Sequence, residues 1–225
     1  MRLAALCSGG KDSVLSMYLA HQSGHEICYV VGISSPGESW IFHTPNAWLV
    51  PMIADAMGIR FKGAETDGTE AGDMEALRSA LGGLDAEGVI MGGIWSDYQW
   101  DRINNICGDL DLMVYAPLWR KDQSLVYDEI GAAGIEAIIV GTFAEGLDET
   151  YLGCSLDAAC KERLIKAGER IELSVTGEGG EYESLVLDSP MHTKRLAIRK
   201  ERRDVSRGSS LLTVEEATLE NKGQN

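Results

Sequence analysis

Short apolar runs alternate with helix-like stretches over the first half of the chain, and this alternation constrains the fold more than any other feature. The runs MRLAALC and EICYVVGIS are typical of buried strands, and apolar residues at helical spacing follow the first of them. The sequence predicts strands at 1–7, 26–34, 59–65, 88–94 and 112–118, separated by helices at 12–22, 46–57, 74–84 and 98–108. Such alternation is typical of a parallel sheet with helices on its faces. We therefore predict an α/β protein in which residues 1–118 form a Rossmann-like, doubly wound domain.

The alternation of helix and strand continues once after residue 118 and is then interrupted by a loop. We predict a second, smaller α/β domain over residues 119–225. Helices are predicted at 121–132 and 155–167, and strands at 135–143, 170–175 and 184–188. The strand at 170–175, RIELSV, is inferred from its period-two apolar alternation. The polar tail EEATLENKGQN is expected to fray.

A glycine-rich turn separates the first predicted strand from the first helix. It consists of Ser8, Gly9, Gly10, Lys11, Asp12 and Ser13. Backbone N–H groups at a helix N-terminus attract anions, and glycines let an anion approach the backbone closely. Lys11 adds a full positive charge, while the serines add hydroxyl donors. We therefore predict a phosphate cradle, in which Asp12 can help to hold the Mg²⁺ that phosphates bring.

The sequence of this turn excludes two common nucleotide-binding motifs. It is not the Walker A motif, because Asp12 follows the lysine, and it is not G-x-G-x-x-G. The six residues SGGKDS resemble the PP-loop of the ATP pyrophosphatases. That resemblance implies ATP as the ligand of the loop, attack of a substrate on its α-phosphate, and release of AMP and pyrophosphate. The alternative is a glycine turn with a chance sequence.

The charge balance limits the partners. The net charge of −15 argues against broad nucleic-acid binding, which needs a basic surface. One segment departs from this balance, and we call it the basic strip: Lys194, Arg195, Arg199, Lys200, Arg202, Arg203 and Arg207. It is interpreted as a solvated strand face, or alternatively as a docking surface for an acidic partner.

Cysteine usage and hydropathy indicate a cytoplasmic protein. The five cysteines include no C-x-x-C pair, so neither a disulfide framework nor a structural zinc site is expected. Cys7, beside the glycine turn, is kept as a functional candidate. No apolar run approaches the roughly 18 residues of a membrane span, and the N-terminus enters a strand without a secretory h-region.

Two further stretches indicate which group of PP-loop enzymes the chain resembles: GGIWSDYQWDRINNIC (92–107) and GEGGEYESLVLDSP (177–190). With SGGKDS they resemble the diphthine–ammonia ligases, and WIFHTPN, APLWRKDQ and LDETYLGCSLD extend the similarity along most of the chain. The resemblance implies ATP-dependent amidation of diphthine, a modified histidine on translation elongation factor 2. The diphthine carboxylate would form an acyl-adenylate, and ammonia from ammonium would displace AMP. The tRNA-thiolating branch of PP-loop enzymes, with its paired cysteines and basic surface, fits this sequence less well.

The GEGGEYE turn supplies the candidate acceptor site, formed by Glu178, Gly179, Gly180, Glu181, Tyr182 and Glu183. Acidic and aromatic groups suit the quaternary ammonium of diphthine. Glu181 and Glu183 join Lys11 and Asp12 as candidate catalytic residues, and Glu181 could orient ammonia or accept its proton. The alternative for the acids is a solvated hairpin tip.

The segment after the fourth predicted strand is expected to line the same cleft. Its candidates are Ser96, Asp97, Tyr98, Gln99 and Arg102. Arg102 could bind a phosphate or carboxylate through two nitrogens, and Asp97 could instead cap the next helix. His43, after the second predicted strand, is a nucleotide-binding candidate or a structural histidine.

Two other functions stay open on sequence grounds. One is a PP-loop enzyme that adenylylates another small molecule or an RNA base. The other is a module that binds ATP or AMP without chemistry. The sequence leaves the oligomeric state open, a homo-oligomer included.

Overall fold

A five-stranded parallel sheet forms the first half of the protein. The computed structural model describes residues 1–35, 46–169 and 173–223. The strands are β1 (Arg2–Leu6), β2 (Glu26–Ser34), β3 (Arg60–Glu65), β4 (Gly88–Ile90) and β5 (Met113–Tyr115). The order across the sheet is β3-β2-β1-β4-β5, and every neighbouring pair is parallel.

Helices cover both faces of this sheet. They are α1 (Lys11–Gln22), α2 (Val50–Met57), α3 (Glu70–Leu81) and α4 (Asp97–Asp109), and a short 3-10 turn at Ala47–Leu49 precedes α2. Successive residues of a strand face opposite sides. Leu3 and Ala5 of β1 accordingly pack in the core cluster that contains α1 and α2, whereas Ala4 packs in the cluster that contains α3 and α4. The predicted doubly wound α/β sheet is confirmed.

Local sequence explains where several helices begin and end. Ser96 caps α4 by accepting a hydrogen bond from the N–H of Gln99, and Thr69 caps α3 in the same way. Pro51 lies in the first turn of α2, which ends at Gly58 in the left-handed conformation (φ +68°). Gly10, which precedes α1, has no side chain to cap the helix.

A four-stranded antiparallel sheet and two helices form the second half. The elements are α5 (Gln123–Ala132), β6 (Glu136–Thr142), α6 (Ala158–Gly168), β7 (Tyr182–Asp188), β8 (Lys194–Ser206) and β9 (Ser209–Asn221), with a 3-10 turn at Glu149–Tyr151. The strand order is β7-β6-β9-β8. One hydrophobic cluster runs from Leu15 of α1 to Ile139 of β6 and Val186 of β7, so the two sheets share a core.

Four sequence predictions need correction. The polar tail does not fray over 215–221, because these residues belong to β9 and pair with β8. Residues 173–175 form no strand, and 170–172 lie outside the described residues. The fourth and fifth strands are shorter than predicted, since β4 ends at Ile90 and β5 ends at Tyr115. The division into domains at residue 118 stays a prediction.

Within the described ranges, none of the helices is long and apolar enough to cross a membrane.

Candidate active site

A cleft of about 380 Å³ opens beyond the carboxyl ends of β1 and β4. The strand order reverses there, since β2 lies on one side of β1 and β4 on the other. Parallel α/β sheets bind ligands at such a switch point. Three segments supply most of the polar lining: residues 7–13, residues 92–99 and residues 177–184.

The glycine turn lies at the centre of this cleft. Gly9 adopts a positive φ of +83°, and a Cβ there would lie 3.1 Å from Cδ1 of Ile53. The Ser13 hydroxyl donates to the carbonyl of Gly10 at 2.8 Å, and the Gly10 N–H donates to the Ser8 hydroxyl at 3.3 Å. The turn is therefore compact, and the N-terminus of α1 adds partial positive charge beside Lys11.

Lys11 and Asp12 form an ion pair within this turn. The Lys11 Nζ lies 2.7 Å from Oδ2 of Asp12 and 5.2 Å from the ring centre of Tyr182, and Lys11 is only 4% exposed. The other Asp12 carboxylate oxygen is buried and has no hydrogen-bond partner among the described residues. A lone carboxylate oxygen beside a phosphate cradle fits Mg²⁺, which commonly takes one or two carboxylates plus phosphate oxygens. No group of three or more His, Cys, Asp or Glu that could hold a metal occurs in the described part of the chain.

Strand β7 joins the second sheet to the glycine turn. The backbone N–H of Lys11 donates to the hydroxyl of Ser184 at 3.1 Å, and the N–H of Val186 donates to the carbonyl of Gly9 at 2.9 Å. These two bonds fix the end of the GEGGEYE turn against the glycine turn.

Glu178 connects the GEGGEYE turn to the start of α4. One of its carboxylate oxygens accepts hydrogen bonds from the backbone N–H groups of Ile94, Trp95 and Ser96, at 3.2, 2.8 and 3.1 Å. Burial is the main cause that raises the pKa of Glu178, and the nearby charge of Asp12 adds to it, while the Trp95 hydrogen bond opposes both.

Glu181 closes the turn on itself. Its two carboxylate oxygens accept from the N–H groups of Ser174 and Gly179, at 2.7 and 2.8 Å. Glu181 and Gly179 are not among the residues that line the cleft, whereas Glu178 and Gly180 are. The carboxylate of Glu181 therefore stabilises the turn that carries the other two glutamates.

Glu183 and Tyr182 lie at the start of β7 and line the cleft. The Tyr182 hydroxyl donates to the carbonyl of Val175 at 2.9 Å, and burial raises the pKa of this tyrosine well above its ordinary value. Burial also raises the pKa of Glu183 to about 7, with the charge of Lys11 lowering it and that of Asp12 raising it.

Two family models match this chain. A family model described as the diphthamide synthase N-terminal domain matches residues 1–114, and one described as the diphthamide synthase C-terminal domain matches residues 122–219. The chain belongs to the diphthamide synthase family.

Curated relatives of this chain are named diphthine–ammonia ligase. This chain is 34% identical over 221 residues to the diphthine–ammonia ligase of Danio rerio, and the match covers 88% of this chain and 86% of that protein. It is 32% identical over 222 residues to that of Homo sapiens, covering 88% of this chain and 83% of the human protein. A solved structure described as a predicted subunit of tRNA methyltransferase from Methanocaldococcus jannaschii is 14% identical, with a TM-score of 0.48. The match covers 84% of this chain and 98% of that chain.

In this diphthamide synthase family member, the segment after β4 divides between the cleft and the surface. Ser96 and Gln99 line the cleft. Asp97 instead pairs with Arg120, at an exposed position. Arg102 pairs with Glu70 and lies over the ring of Tyr98, with 3.3 Å from its guanidinium carbon to the ring centre. Asp97, Tyr98 and Arg102 are not among the lining residues, and the helix cap is Ser96 rather than Asp97.

Several lining residues were not predicted. Ser184 was part of a predicted strand, and its bond to Lys11 joins residues 173 positions apart, which no local pattern indicates. Gly92 belonged to the strand predicted at 88–94 and was given no role in the site, yet a Cβ there would lie 2.9 Å from the backbone nitrogen of Ser13. Cys7 is buried, which raises its pKa, and its sulfur accepts from the N–H of Gly9. The nucleotide-binding prediction for His43 lies outside the described residues.

Six of the seven residues of the basic strip lie on β8, as its interpretation as a strand face predicts, and Arg207 lies in the turn that follows this strand. Five of its seven cations form ion pairs with carboxylates: Arg195 with Glu136, Arg199 with Glu220, Lys200 and Arg202 with Glu215, and Arg203 with Glu201. The docking role of the strip stays a prediction.

Proposed function

We propose that this protein is a diphthine–ammonia ligase, which uses ATP and ammonium to convert a protein-bound diphthine carboxylate into the amide of diphthamide. The observation that carries the proposal is the hydrogen bond between the Lys11 N–H and the Ser184 hydroxyl, because it holds the phosphate cradle beside the acidic turn of the second sheet. An adenylating enzyme needs both parts in one cleft: a site for the triphosphate and a site for the acceptor.

The residues of the cleft divide the first half-reaction between them. The N-terminus of α1 and Lys11 would bind the phosphates that leave as pyrophosphate, and their positive charge would stabilise the charge that develops there. The diphthine carboxylate attacks the α-phosphorus, and the bond to pyrophosphate breaks. Mg²⁺ held by the buried Asp12 oxygen would neutralise part of the phosphate charge.

The acidic side of the cleft suits the acceptor. Diphthine carries a trimethylammonium group near its carboxylate, and carboxylates with an aromatic ring favour such a cation. Glu178, Tyr182 and Glu183 supply these groups, and Ser96 and Gln99 line the same cleft. We propose translation elongation factor 2 as the protein that carries the diphthine.

The test is a reconstituted reaction. The purified protein is incubated with ATP, Mg²⁺, ammonium and a diphthine-bearing elongation factor 2, and the factor is then weighed by mass spectrometry. We expect the mass change of replacing OH by NH₂, together with AMP and pyrophosphate. Formation of AMP without this change would support the cradle but contradict the acceptor, and absence of AMP under all acceptors would contradict both.

A matched pair of lysine variants controls this experiment. Lys11→Ala should lower turnover by about 10²–10³-fold, because it removes the buried cation of the cradle. Lys62→Ala, at an exposed position of β3, should leave turnover unchanged. Equal activity of the two variants would remove Lys11 from the mechanism.

A further inference from the structure

The three glutamates of the GEGGEYE turn lie in three different surroundings. The Glu178 carboxylate accepts hydrogen bonds from three backbone N–H groups, and the Glu181 carboxylate accepts from two. No described residue donates a hydrogen bond to the carboxylate of Glu183, and the charges that act on it within the described ranges are those of Lys11 and Asp12. Two of the three acids are therefore committed to holding backbone, and one is available for chemistry.

The backbone around Glu183 is fixed on both sides. The preceding residue, Tyr182, is anchored through its hydroxyl to Val175, and the following residue, Ser184, is bonded to the N–H of Lys11. Glu183 also lies on a paired strand, opposite Gly141 of β6. A carboxylate on such a strand is positioned more firmly than one on a free loop, which is what proton transfer requires.

We propose that Glu183 is the catalytic base that takes a proton from the ammonium ion, so that ammonia forms inside the cleft beside the acyl-adenylate. This role rests on the proposed function. It differs from the sequence prediction, which gave the proton to Glu181.

The proposed step moves one proton to Glu183 and exchanges a C–O bond for a C–N bond at the acyl carbon. Ammonium has no lone pair, so it must lose one proton, which the Glu183 carboxylate receives. The nitrogen lone pair then attacks the acyl carbon, and a C–N bond forms. The C–O bond to the phosphate breaks and its electron pair leaves with AMP. The nitrogen then releases its surplus proton to solvent water, which gives the neutral amide.

The electrostatics of the site agree with this role. Burial raises the pKa of Glu183 to about 7, with Lys11 and Asp12 of α1 as the charged groups that act on it. A general base works best when its pKa lies near the ambient pH, because it is then both ionised and basic enough to accept a proton. An ordinary exposed glutamate would be a much weaker base.

The deciding experiment compares two nucleophiles. Ammonium must be deprotonated near neutral pH, whereas hydroxylamine is already mostly the free base. We expect Glu183→Gln, which keeps the shape but accepts no proton, to lose about 10²–10⁴-fold in amide formation with ammonium. Hydroxamate formation with hydroxylamine, and ATP–pyrophosphate exchange in the presence of the diphthine protein, should stay within a few-fold of the unsubstituted protein. Glu162→Gln, exposed on α6, is the control and should change neither reaction.

The remaining outcomes would contradict either the role of Glu183 or the proposed function. Equal losses with both nucleophiles, loss of pyrophosphate exchange, or full activity with ammonium would contradict the role of Glu183 as the base. If the unsubstituted protein made neither amide nor hydroxamate, the proposed function itself would be wrong.

A second measurement needs no variant. If Glu183 deprotonates bound ammonium, kcat/KM for total ammonium should rise with pH and level off above about pH 7, as Glu183 becomes fully ionised. If the enzyme instead captures free ammonia from solution, kcat/KM should keep rising about tenfold per pH unit above that point. A continued rise would overturn the proposal even if Glu183→Gln did not fold.

Discussion

One carboxylate oxygen of Glu178 accepts a hydrogen bond from the backbone N–H of Trp95 at 2.8 Å, although 83 residues separate the two in sequence. The N–H groups of Ile94 and Ser96 point at the same oxygen. Backbone donors at the start of a helix form an anion-binding concavity, and here a side chain of the second half occupies it. The contact therefore fixes the acidic turn relative to α4 and its lining residues.

Removing this carboxylate should loosen the cleft. Glu178→Ala leaves three N–H groups without their acceptor, so we expect the free energy of unfolding to fall by about 1–3 kcal/mol. Glu178→Gln keeps an acceptor oxygen and should lose less. Urea denaturation of both variants, with Glu162→Gln as the exposed control, measures the difference. Equal stability of Glu178→Ala and the control would mean that the contact does not stabilise the fold.

Local patterns predicted the phosphate cradle, whereas the contacts that complete the site are non-local. The strand, glycine turn and helix are adjacent in sequence, so composition and spacing indicated them directly. The bonds from Ser184 to Lys11 and from Glu178 to Trp95 depend on how β7 packs against the first sheet, which periodicity does not show.

The C-terminal hairpin was missed for a different reason. The second half of strand β9, from Glu215 onwards, was predicted to be a polar tail. Few of its side chains are buried, so its sequence is mostly polar. Its order comes from backbone pairing with β8 and from cross-strand ion pairs such as Lys200 with Glu215. Such a strand has little apolar alternation, which is the signal that strand prediction uses.

Glu181 should act through the turn rather than on the substrate. Glu181→Ala removes the acceptor of the N–H groups of Ser174 and Gly179, so amide hydrogen exchange at both residues should become faster. We still expect this variant to bind ATP and to lose amide formation, because the turn also carries Glu178 and Glu183. Slow exchange at Ser174 and Gly179 in an inactive variant would point to a direct catalytic role for Glu181 instead.

Gly92 should tolerate no side chain. A Cβ at this position would lie 2.9 Å from the backbone nitrogen and 3.0 Å from the Cα of Ser13, and backbone atoms cannot move aside cheaply. We expect Gly92→Ala to lower the free energy of unfolding by about 1–3 kcal/mol and to weaken ATP binding, since the clash displaces the cradle.

Gly108 provides the matched control for Gly92. It lies in the last turns of α4, and a Cβ there would meet no atom within 4 Å. Gly108→Ala should therefore raise the free energy of unfolding by about 0.5–1 kcal/mol, because alanine favours the helix and loses less backbone entropy. Calorimetry and ATP titration of both variants give the comparison. Opposite signs are expected, and a shared sign would contradict the close approach at Gly92.

The ionised carboxylate of Glu183, the proposed catalytic base, should lower the stability of the folded protein at high pH. The pKa of Glu183 is about 7 in the folded protein, above its ordinary value of 4.5. Between these values the folded state keeps a proton that the unfolded state has lost, so the free energy of unfolding falls as pH rises through this window. Below the window both states are protonated, and Glu183 contributes no difference.

Glu183→Gln should remove this pH-dependent cost. We expect the variant to equal the unsubstituted protein near pH 4 and to become more stable by roughly 1–3 kcal/mol above about pH 7, where the buried charge is fully formed. Urea denaturation at a series of pH values measures the difference, and Glu162→Gln, whose side chain is exposed, should show no such trend. A gain in stability above neutral pH that accompanies the loss of ammonium-dependent activity would tie the two properties to one carboxylate. A variant that matches the unsubstituted protein near pH 4 and becomes less stable than it as the pH rises would show instead that the ionised carboxylate stabilises the fold.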